Sequence, residues 1–412
     1  MRVTVVGGGL AGLAAALDLA DSGQEVTLLE ARPTLGGAVQ TLPERAGDPD
    51  PPPDNGQHIA LGCFTEYLAF LERIGERSSV LRRRLGLPVV GEDGNVATIT
   101  ANPLSILRYG HLAPRERVGI LRALLRFRGA AVSDGETFGD LLRRLGQSQQ
   151  AVDRFWDVFV RPALNLRSDE ASAALGVFTV RTALLSGRAS SELVLPVRPL
   201  GAMHGDAAGR ALEAAGATVH TNTRVESLDE LDTDAVVLAV PPGESARLLE
   251  EAEPRLEDSP IVSVHLLFDR VLTDRPLLAL LGSPAHWTFD RGALTGHRPE
   301  RGQYLTVVSS GVPDLLEVRG RALVELMAGE LTGRLGGAEL LWSRVSREPR
   351  ATVALRPGQA ALRPGPQTSR PNVVRAGAWT DTGWPATMES AVRSGRTAAR
   401  LVLSDRKTKV AA

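Results

Sequence analysis

Residues 2–37 read RVTVVGGGLAGLAAALDLADSGQEVTLLEARPTLGG, and the fold follows from this stretch. Residues 2–6 are a short apolar, β-branched run, as expected for a strand buried on both faces of a parallel sheet. A helix is predicted from about Leu10 to Ser22, and a second strand from Glu25 to Glu30. Between strand and helix lies Gly7-x-Gly9-x-x-Gly12. Gly7 permits a tight turn, Gly9 lets backbone approach a pyrophosphate, and Gly12 lets helix and strand pack closely. The helix N-terminus then presents unpaired N–H groups and a positive dipole end to phosphates. A merely structural Gly-rich turn would share that pattern. Glu30 separates the two, because it ends the second strand roughly 20 residues on, where a carboxylate accepts from ribose hydroxyls and repels a 2′-phosphate. The plain alternative for Glu30 is a solvated strand end. The reading is a Rossmann-type βαβ unit that binds a dinucleotide.

A chain of 412 residues exceeds one simple core and predicts two interpenetrating domains. With 43% hydrophobic and 23% charged residues it has the composition of an ordinary globular protein. A formal net charge of −1 gives no global field for nucleic acid, so no such partner is expected. The lone Cys63 excludes an internal disulfide and any multi-thiolate metal site, and points to a reducing, cytoplasmic setting. The histidines show no metal-ligand spacing with acids or thiols, so no metal is expected. The apolar N-terminus places its glycines in a nucleotide pattern with no cleavage region after it, which argues against a targeting signal. No run of 18 apolar residues suggests a bilayer span.

Further along, the Pro/Asp-rich 44–55 reads as a surface loop. Helical patterns fill much of 64–75, 114–128 and 136–163. From 206 to 240 a helix leads into ATVHTNTRVESL and DAVVLAVPP, which read as strand, turn and buried strand. Strands are predicted at 260–270, 303–310 and 372–377, and helices at 318–335 and from about Ala386 to Leu403. The fold class is therefore α/β: a discontinuous Rossmann-like cofactor domain of residues 1–75, 200–250 and 370–412, with a mixed α+β substrate domain of 76–199 and 251–369.

Glu30 is followed by Ala31, Arg32 and the doublet Gly36-Gly37, and here the chain resembles the FAD-dependent amine oxidase and phytoene desaturase superfamily. The resemblance implies FAD as cofactor. It puts Glu30 and the adjoining Ala31 at the adenosine ribose, and Arg32, Gly36 and Gly37 along the pyrophosphate and flavin approach. It also implies that Val225, in TRVESL, contacts the adenine region through its backbone. The closing segment GWPATMESAVRSGRTAA (383–399) matches the superfamily too. There a strand delivers the chain to Gly377, and a helix N-terminus near Ala386–Met388 faces the flavin, a dipole that stabilises its reduced form. Gly395, Ala398 and Ala399 allow that helix to pack tightly on the sheet. Trp379 and Trp384 flank the turn, as walls of the site or as core.

Within the superfamily, DNGQHIALGCFTEYLAFLERIG (54–75), PALNLRSDEASA (162–173), SELVLPVRPLG (191–201) and GWPATMESAVRSG (383–395) are similar to the hydroxysqualene dehydroxylases, the squalene-associated flavoproteins of bacterial hopanoid synthesis. Two positions depart. Ala378 follows Gly377 where the family has Asp, with Asp381 as a nearby substitute, and Ala38 follows Gly37 where Arg is common. The resemblance implies that the allylic hydroxyl of hydroxysqualene is replaced by hydrogen, through an acid that helps hydroxide leave and a hydride from reduced flavin. Asp54 and His58, in a segment the family places beside the cofactor with Gly56, are the candidate acids. The alternatives are a positioning hydrogen-bonder for His58 and a turn residue for Asp54. Asn165 and Glu389 are further candidates, set against a loop-capping asparagine and a first-turn glutamate. Rival readings are a carotenoid desaturase or isomerase, and a non-catalytic flavin- or prenyl-lipid-binding protein.

A hydrophobic triterpene needs a route from the bilayer. PRERVGILRALLRFRG (114–129) has Val118, Leu121, Leu124 and Leu125 on one side, with Arg115, Arg117, Arg122, Arg126 and Arg128 opposed only by Glu116. It reads either as an interfacial helix on the anionic inner face of the membrane or as a surface helix over the core.

Overall fold

The computed structural model describes residues 1–129 and 132–411. Its first sheet is five-stranded and wholly parallel, in the order Val373–Arg375, Ala235–Leu238, Arg2–Val6, Glu25–Leu29, Thr218–His220. The expected βαβ unit forms its centre, with helix Leu10–Asp21 between the two strands. Strands paired with neighbours 137 to 232 residues away complete the sheet.

Helix Leu10–Asp21 is buried on almost every side from Leu10 to Leu17, because the closing helix Met388–Ala411 lies across it. The crossing is close enough that a Cβ on Gly395 would sit 2.0 Å from the carbonyl oxygen of Ala11. Gly395 therefore serves a helix–helix contact rather than the expected helix–sheet contact. Ala398 and Ala399 are fully buried in the same core.

The second sheet has seven strands, in the order Leu340–Val353, Asp258–Phe268, Gln303–Ser310, Trp287–Asp290, Leu277–Leu280, Gly86–Val90, Val96–Thr100. All neighbours are antiparallel except Leu277–Leu280 with Gly86–Val90. In a small antiparallel sheet of Ala60–Leu61, Leu193–Pro196 and Val80–Arg83, Val194 packs in the core around the parallel sheet and Leu193 and Leu195 in the apolar core on the large sheet. Five strands beyond the sequence reading appear in the large sheet. Leu340–Val353 is an edge strand carrying Arg344, Arg347, Glu348 and Arg350, a polar composition that conceals the period-2 signal. The single helical pattern of 136–163 resolves into shorter pieces, among them Phe138–Arg144 and Asp157–Leu164.

Strand alternation divides the large sheet chemically. One face, with Val262, Val264, Leu266, Leu305 and Val307, packs on helix Arg321–Leu335. The other is split. Its Val89, Ala279, Trp287, Phe289 and Val308 lie in an apolar core with Phe127, Phe138 and Trp156. Towards the opposite edge the same face carries buried Ser263, His265, Tyr304, Thr306 and Arg344.

Candidate functional site

Gly7 has φ +104°, and a Cβ there would meet the Ala239 carbonyl oxygen at 2.3 Å. A Cβ on Gly12 would fall 1.9 Å from the carbonyl oxygen of Gly7, and one on Gly37 would fall 2.7 Å from the Cα of Gly9. The second glycine pair is folded against the first: Gly9 and Gly36 form a parallel bridge, and Gly36 donates to the Gly8 carbonyl at 2.8 Å. Helix Leu10–Asp21 starts at Gly9 without a side-chain cap, which leaves its first-turn N–H groups to an outside acceptor. This bare N-terminus, flanked by backbone that tolerates no Cβ, suits the pyrophosphate of FAD. Glu30 is buried, with Oε2 accepting from Gly8 N–H at 2.6 Å and Oε1 from Arg32 N–H at 2.8 Å. A carboxylate has about four acceptor positions, so two remain for ribose hydroxyls. The side chains of Ala31 and Arg32 are exposed beside it. The carbonyl of Val225 accepts from Arg247 at 2.9 Å, while its side chain packs with Leu238, Leu248 and Leu249.

Residues 38–42 pair with 53–55, so the Asp54–His58 segment is laddered onto the loop that follows Gly37. Asp54 is not a free turn carboxylate. It and Arg291 are each 1% exposed, with Nη1 and Oδ2 2.6 Å apart. Its Oδ1 accepts from Thr41 Oγ1 at 2.7 Å and from Leu200 N–H at 2.9 Å. Burial pushes the Asp54 carboxyl above its ordinary range, and Arg291 opposes that shift. Gly56 lies against the sheet, where a Cβ would be 3.0 Å from Ser263 Oγ. The Leu200 carbonyl accepts from His204 Nδ1 at 2.8 Å, which leaves His204 Nε2 to accept from Tyr67 Oη at 2.8 Å. DNGQH and LPVRPLG, distant in sequence, thus share one hydrogen-bond chain. His58 is half-buried next to His204, and no hydrogen bond to its ring is formed within the described residues. Burial pushes its imidazole down to about 4, with His204 adding to the effect.

At the other end of the chain, Gly377 (φ +155°) donates to Ser394 Oγ at 2.9 Å and packs under the Trp379 indole. Trp379 belongs to the core: its Nε1 donates to the Val240 carbonyl at 3.0 Å and its ring meets Val353 and Leu355. Trp384 packs edge-on against Phe178 and Phe64, with the Arg393 guanidinium 4.7 Å from its ring centre. Asp381 is exposed and accepts from Gly383 N–H at 3.1 Å. The turn itself is held by Arg363, which donates to the carbonyls of Ala378 (2.8 Å), Trp379 (3.3 Å), Trp384 (2.6 Å) and Thr380. Met388 opens the closing helix and packs on the first core.

Two of the further candidates have structural partners. Glu389 is fully buried and accepts from the N–H groups of Glu66 (3.2 Å) and Tyr67 (2.8 Å), capping helix Thr65–Arg73 from outside. Asn165 sits at φ 54° at a helix end and donates through Nδ2 to the Ser259 and Pro260 carbonyls. Arg291, Arg363, Thr41, Tyr67 and His204 escaped the sequence reading. Nothing distinguishes two buried arginines among 47 basic residues before the fold places them.

Helix Pro114–Phe127 buries Ile120, Ala123, Leu124 and Phe127 in the core, so Leu124 leaves the expected outer stripe. Glu116 is buried too, accepting from Ala113 N–H and Ser148, and Arg117 folds back onto the carbonyls of Leu107 and Leu112. What stays outside is Val118 and Leu125 with Arg115, Arg122, Arg126 and Arg128, beside exposed Leu104 (65%) and Leu107. Among the described residues no helix is long and apolar enough to cross a membrane.

Comparison with known proteins agrees with this geometry. A family model described as flavin containing amine oxidoreductase matches residues 10–403. A hydroxysqualene dehydroxylase of Sinorhizobium fredii is 30% identical, with 99% of each chain covered. A probable zeta-carotene desaturase of Synechococcus elongatus is 24% identical over 98% of each chain. In structure, an oxidoreductase from Methanosarcina mazei superposes with a TM-score of 0.75 at 17% identity, covering 97% of this chain and all of the other.

Proposed function

The chain belongs to the flavin-containing amine oxidoreductase family and is an FAD-dependent oxidoreductase, and from that premise we propose that it is a hydroxysqualene dehydroxylase. The family resemblance read from the sequence is thereby borne out; the substrate is the step taken here. The observation that carries it is the full-length similarity to a hydroxysqualene dehydroxylase, together with the position of DNGQH on the ladder beside the glycine doublet. Gly7, Gly9, Gly12, Gly36 and Gly37 would hold the pyrophosphate, Glu30 and Ala31 the ribose side, and Arg32, Gly56, Val225, Gly377 and Met388 the remainder of FAD. Bound and reduced, FAD supplies the hydride.

Replacing hydroxyl by hydrogen also consumes one proton, because the oxygen departs as water. Of the two candidate acids, we assign the role at the hydroxyl to His58 and not to Asp54. Asp54 is 1% exposed and committed to structural partners, Arg291, Thr41 and Leu200. His58 keeps both ring nitrogens for a ligand. Its depressed pKa makes it neutral near pH 7; the small fraction that takes up a proton from solvent is a strong acid, gives that proton to the departing hydroxyl as water leaves, and returns to the neutral imidazole. Half-buried Ile59, Leu61 and Leu175 on the adjoining core offer apolar surface to an isoprenoid chain.

The test is anaerobic mixing of photoreduced protein with hydroxysqualene, following flavin absorbance and squalene. His58→Phe should keep FAD and lose about 10²–10⁴-fold in turnover. Reoxidation by no hydroxysqualene, with phytoene or zeta-carotene instead reducing the oxidised protein, would give the chain to the desaturases. No redox exchange with any of them would leave a binding protein.

Two further results are expected. Glu30→Ala removes the acceptor from two backbone N–H groups as well as from the ribose, so FAD affinity should fall by about 1–3 kcal/mol or more. A fluorescence titration giving wild-type affinity would remove Glu30 from the site. At the membrane, Arg115, Arg122, Arg126 and Arg128 surround exposed Val118, Leu125, Leu104 and Leu107. Each arginine near an anionic surface contributes about 1 kcal/mol, screened by salt. Binding to anionic vesicles should therefore weaken with salt and disappear when Arg122, Arg126 and Arg128 become Glu, with FAD content unchanged. Equal pelleting of wild type and triple variant at low salt would make this a plain surface helix.

A further inference from the structure

Beneath the Asp54–His58 segment the large sheet does something unusual for a core: it is polar and partly unpaired. Among the described residues, Ser263 Oγ, Tyr304 Oη, Gln57 Nε2 and Arg291 Nε are all buried without a hydrogen-bond partner. Buried polar groups are almost always satisfied, so a cluster of orphans sets this neighbourhood apart from an ordinary core. At its centre is Arg291, on the short helix Arg291–Thr295 that follows a strand of the large sheet. Every hydrogen bond recorded for its guanidinium goes to residues 52–57. Nη1 lies 2.6 Å from Asp54 Oδ2 and 3.2 Å from Gln57 Oε1, and Nη2 donates to the Pro52 carbonyl at 3.2 Å.

A fully buried ion pair is a poor way to gain stability, since an apolar pair of like volume is often as good or better. Its planar fork, however, fixes direction in a way that apolar contact does not. We propose that Arg291 is a positioning residue: it holds segment 52–57 in one orientation and through it sets the imidazole of His58 towards the substrate. This rests on the assignment of His58 above. Asp54 passes the constraint on through Leu200 to His204, the neighbour of His58.

The experiment separates positioning from folding by removing both charges. Asp54→Leu combined with Arg291→Met keeps volume and leaves no unpaired charge. Wild type, this double variant and Arg291→Lys are compared as FAD-loaded proteins by thermal melting, by turnover of hydroxysqualene, and by ring-¹⁵N NMR titration of the His58 imidazole. Expected in the double variant are a cooperative melt at a lowered temperature, because Leu200 N–H, Thr41, Gln57 and the Pro52 carbonyl lose partners, retained FAD content, kcat down at least 100-fold, KM within a few-fold, and the His58 titration moved by more than one pH unit. Arg291→Lys, which keeps the charge but loses the fork, should fold and lose about 10-fold in kcat; it decides the matter if the double variant does not fold. Wild-type kcat and an unmoved His58 titration, in whichever of these variants folds, overturn the proposal. If wild type itself fails to turn over hydroxysqualene, the functional reading falls, and the His58 titration alone supports or overturns the positioning role.

Discussion

Arg363→Met is expected to destabilise the protein by about 3–6 kcal/mol and to empty it of FAD. Arg363 comes from outside the closing motif, yet its guanidinium satisfies four carbonyls of the turn, those of Ala378, Trp379, Thr380 and Trp384, and reaches Ser390 Oγ at 3.3 Å. The side chain is buried, and burial lowers its pKa to about 10. A buried carbonyl stripped of its donor costs about 1–3 kcal/mol, and water would reach some of the four after relaxation. Against a typical stability of about 5–15 kcal/mol this is a large loss. The same turn leads into the helix whose first residues, Met388 and Glu389, carry the expected flavin contact and the cap on helix Thr65–Arg73. Arg363→Lys, able to reach fewer of the carbonyls, should fall between. Melting curves and the flavin-to-protein absorbance ratio measure both effects. A methionine variant that melts like wild type with full FAD would show that the turn holds itself.

Acidification from pH 7 to 5 is expected to remove about 2 kcal/mol at each of two buried histidines. Burial lowers His204 to about 4 and His265 to about 3, from near 6.5 in the unfolded chain. The unfolded state therefore takes up protons first as pH falls. The stability from these neutral imidazoles is complete above about 6.5 and is lost as pH drops from there towards the folded values. Near pH 5 each has lost about 1.5 logarithmic units, or about 2 kcal/mol. Carboxyls held above their ordinary range, Asp54 and Asp157, act in the opposite sense at lower pH. The difference between wild type and His204→Phe isolates the histidine contribution. Urea denaturation at both pH values should show a smaller pH dependence for the variant. An identical dependence in the two proteins would mean that His204 is protonated in the fold or not buried as described.

The sequence alone determined the glycine-rich βαβ end of the molecule, because the constraint there is local. The Gly7–Gly12 turn, the strand ending at Glu30 and the Gly36-Gly37 doublet specify backbone geometry within some 35 residues, and only glycine fits the close approaches seen at Gly7, Gly12 and Gly37. Strands 2–6 and 25–29 were legible for the same reason, being continuous apolar runs with no other place to go. The order of the sheet was not legible: the placing of Val373–Arg375 beside Ala235–Leu238 pairs residues 137 positions apart. Nor was the edge strand Leu340–Val353, whose pairing with Asp258–Phe268 overrides its polar composition.

The site divides in the same way. DNGQH announced chemistry by its titratable groups, but only the tertiary structure separated Asp54 from His58. Arg291, 237 positions away, occupies the first, and among the described residues no hydrogen bond occupies the second. Glu389 and Asn165 looked chemical in isolation and became a helix cap and a loop tie once Tyr67 and Ser259 were brought to them. On helix Pro114–Phe127 the amphipathic pattern was right in kind, yet packing chose Leu124 for the core and Leu125 for the surface. A residue type sets what a side chain is able to do, and this much is written in the sequence. Whether a buried carboxylate finds an arginine, or an imidazole is left without such a partner, depends on which distant elements arrive at the same place, because the energy of a polar group is decided by its partners and its dehydration together.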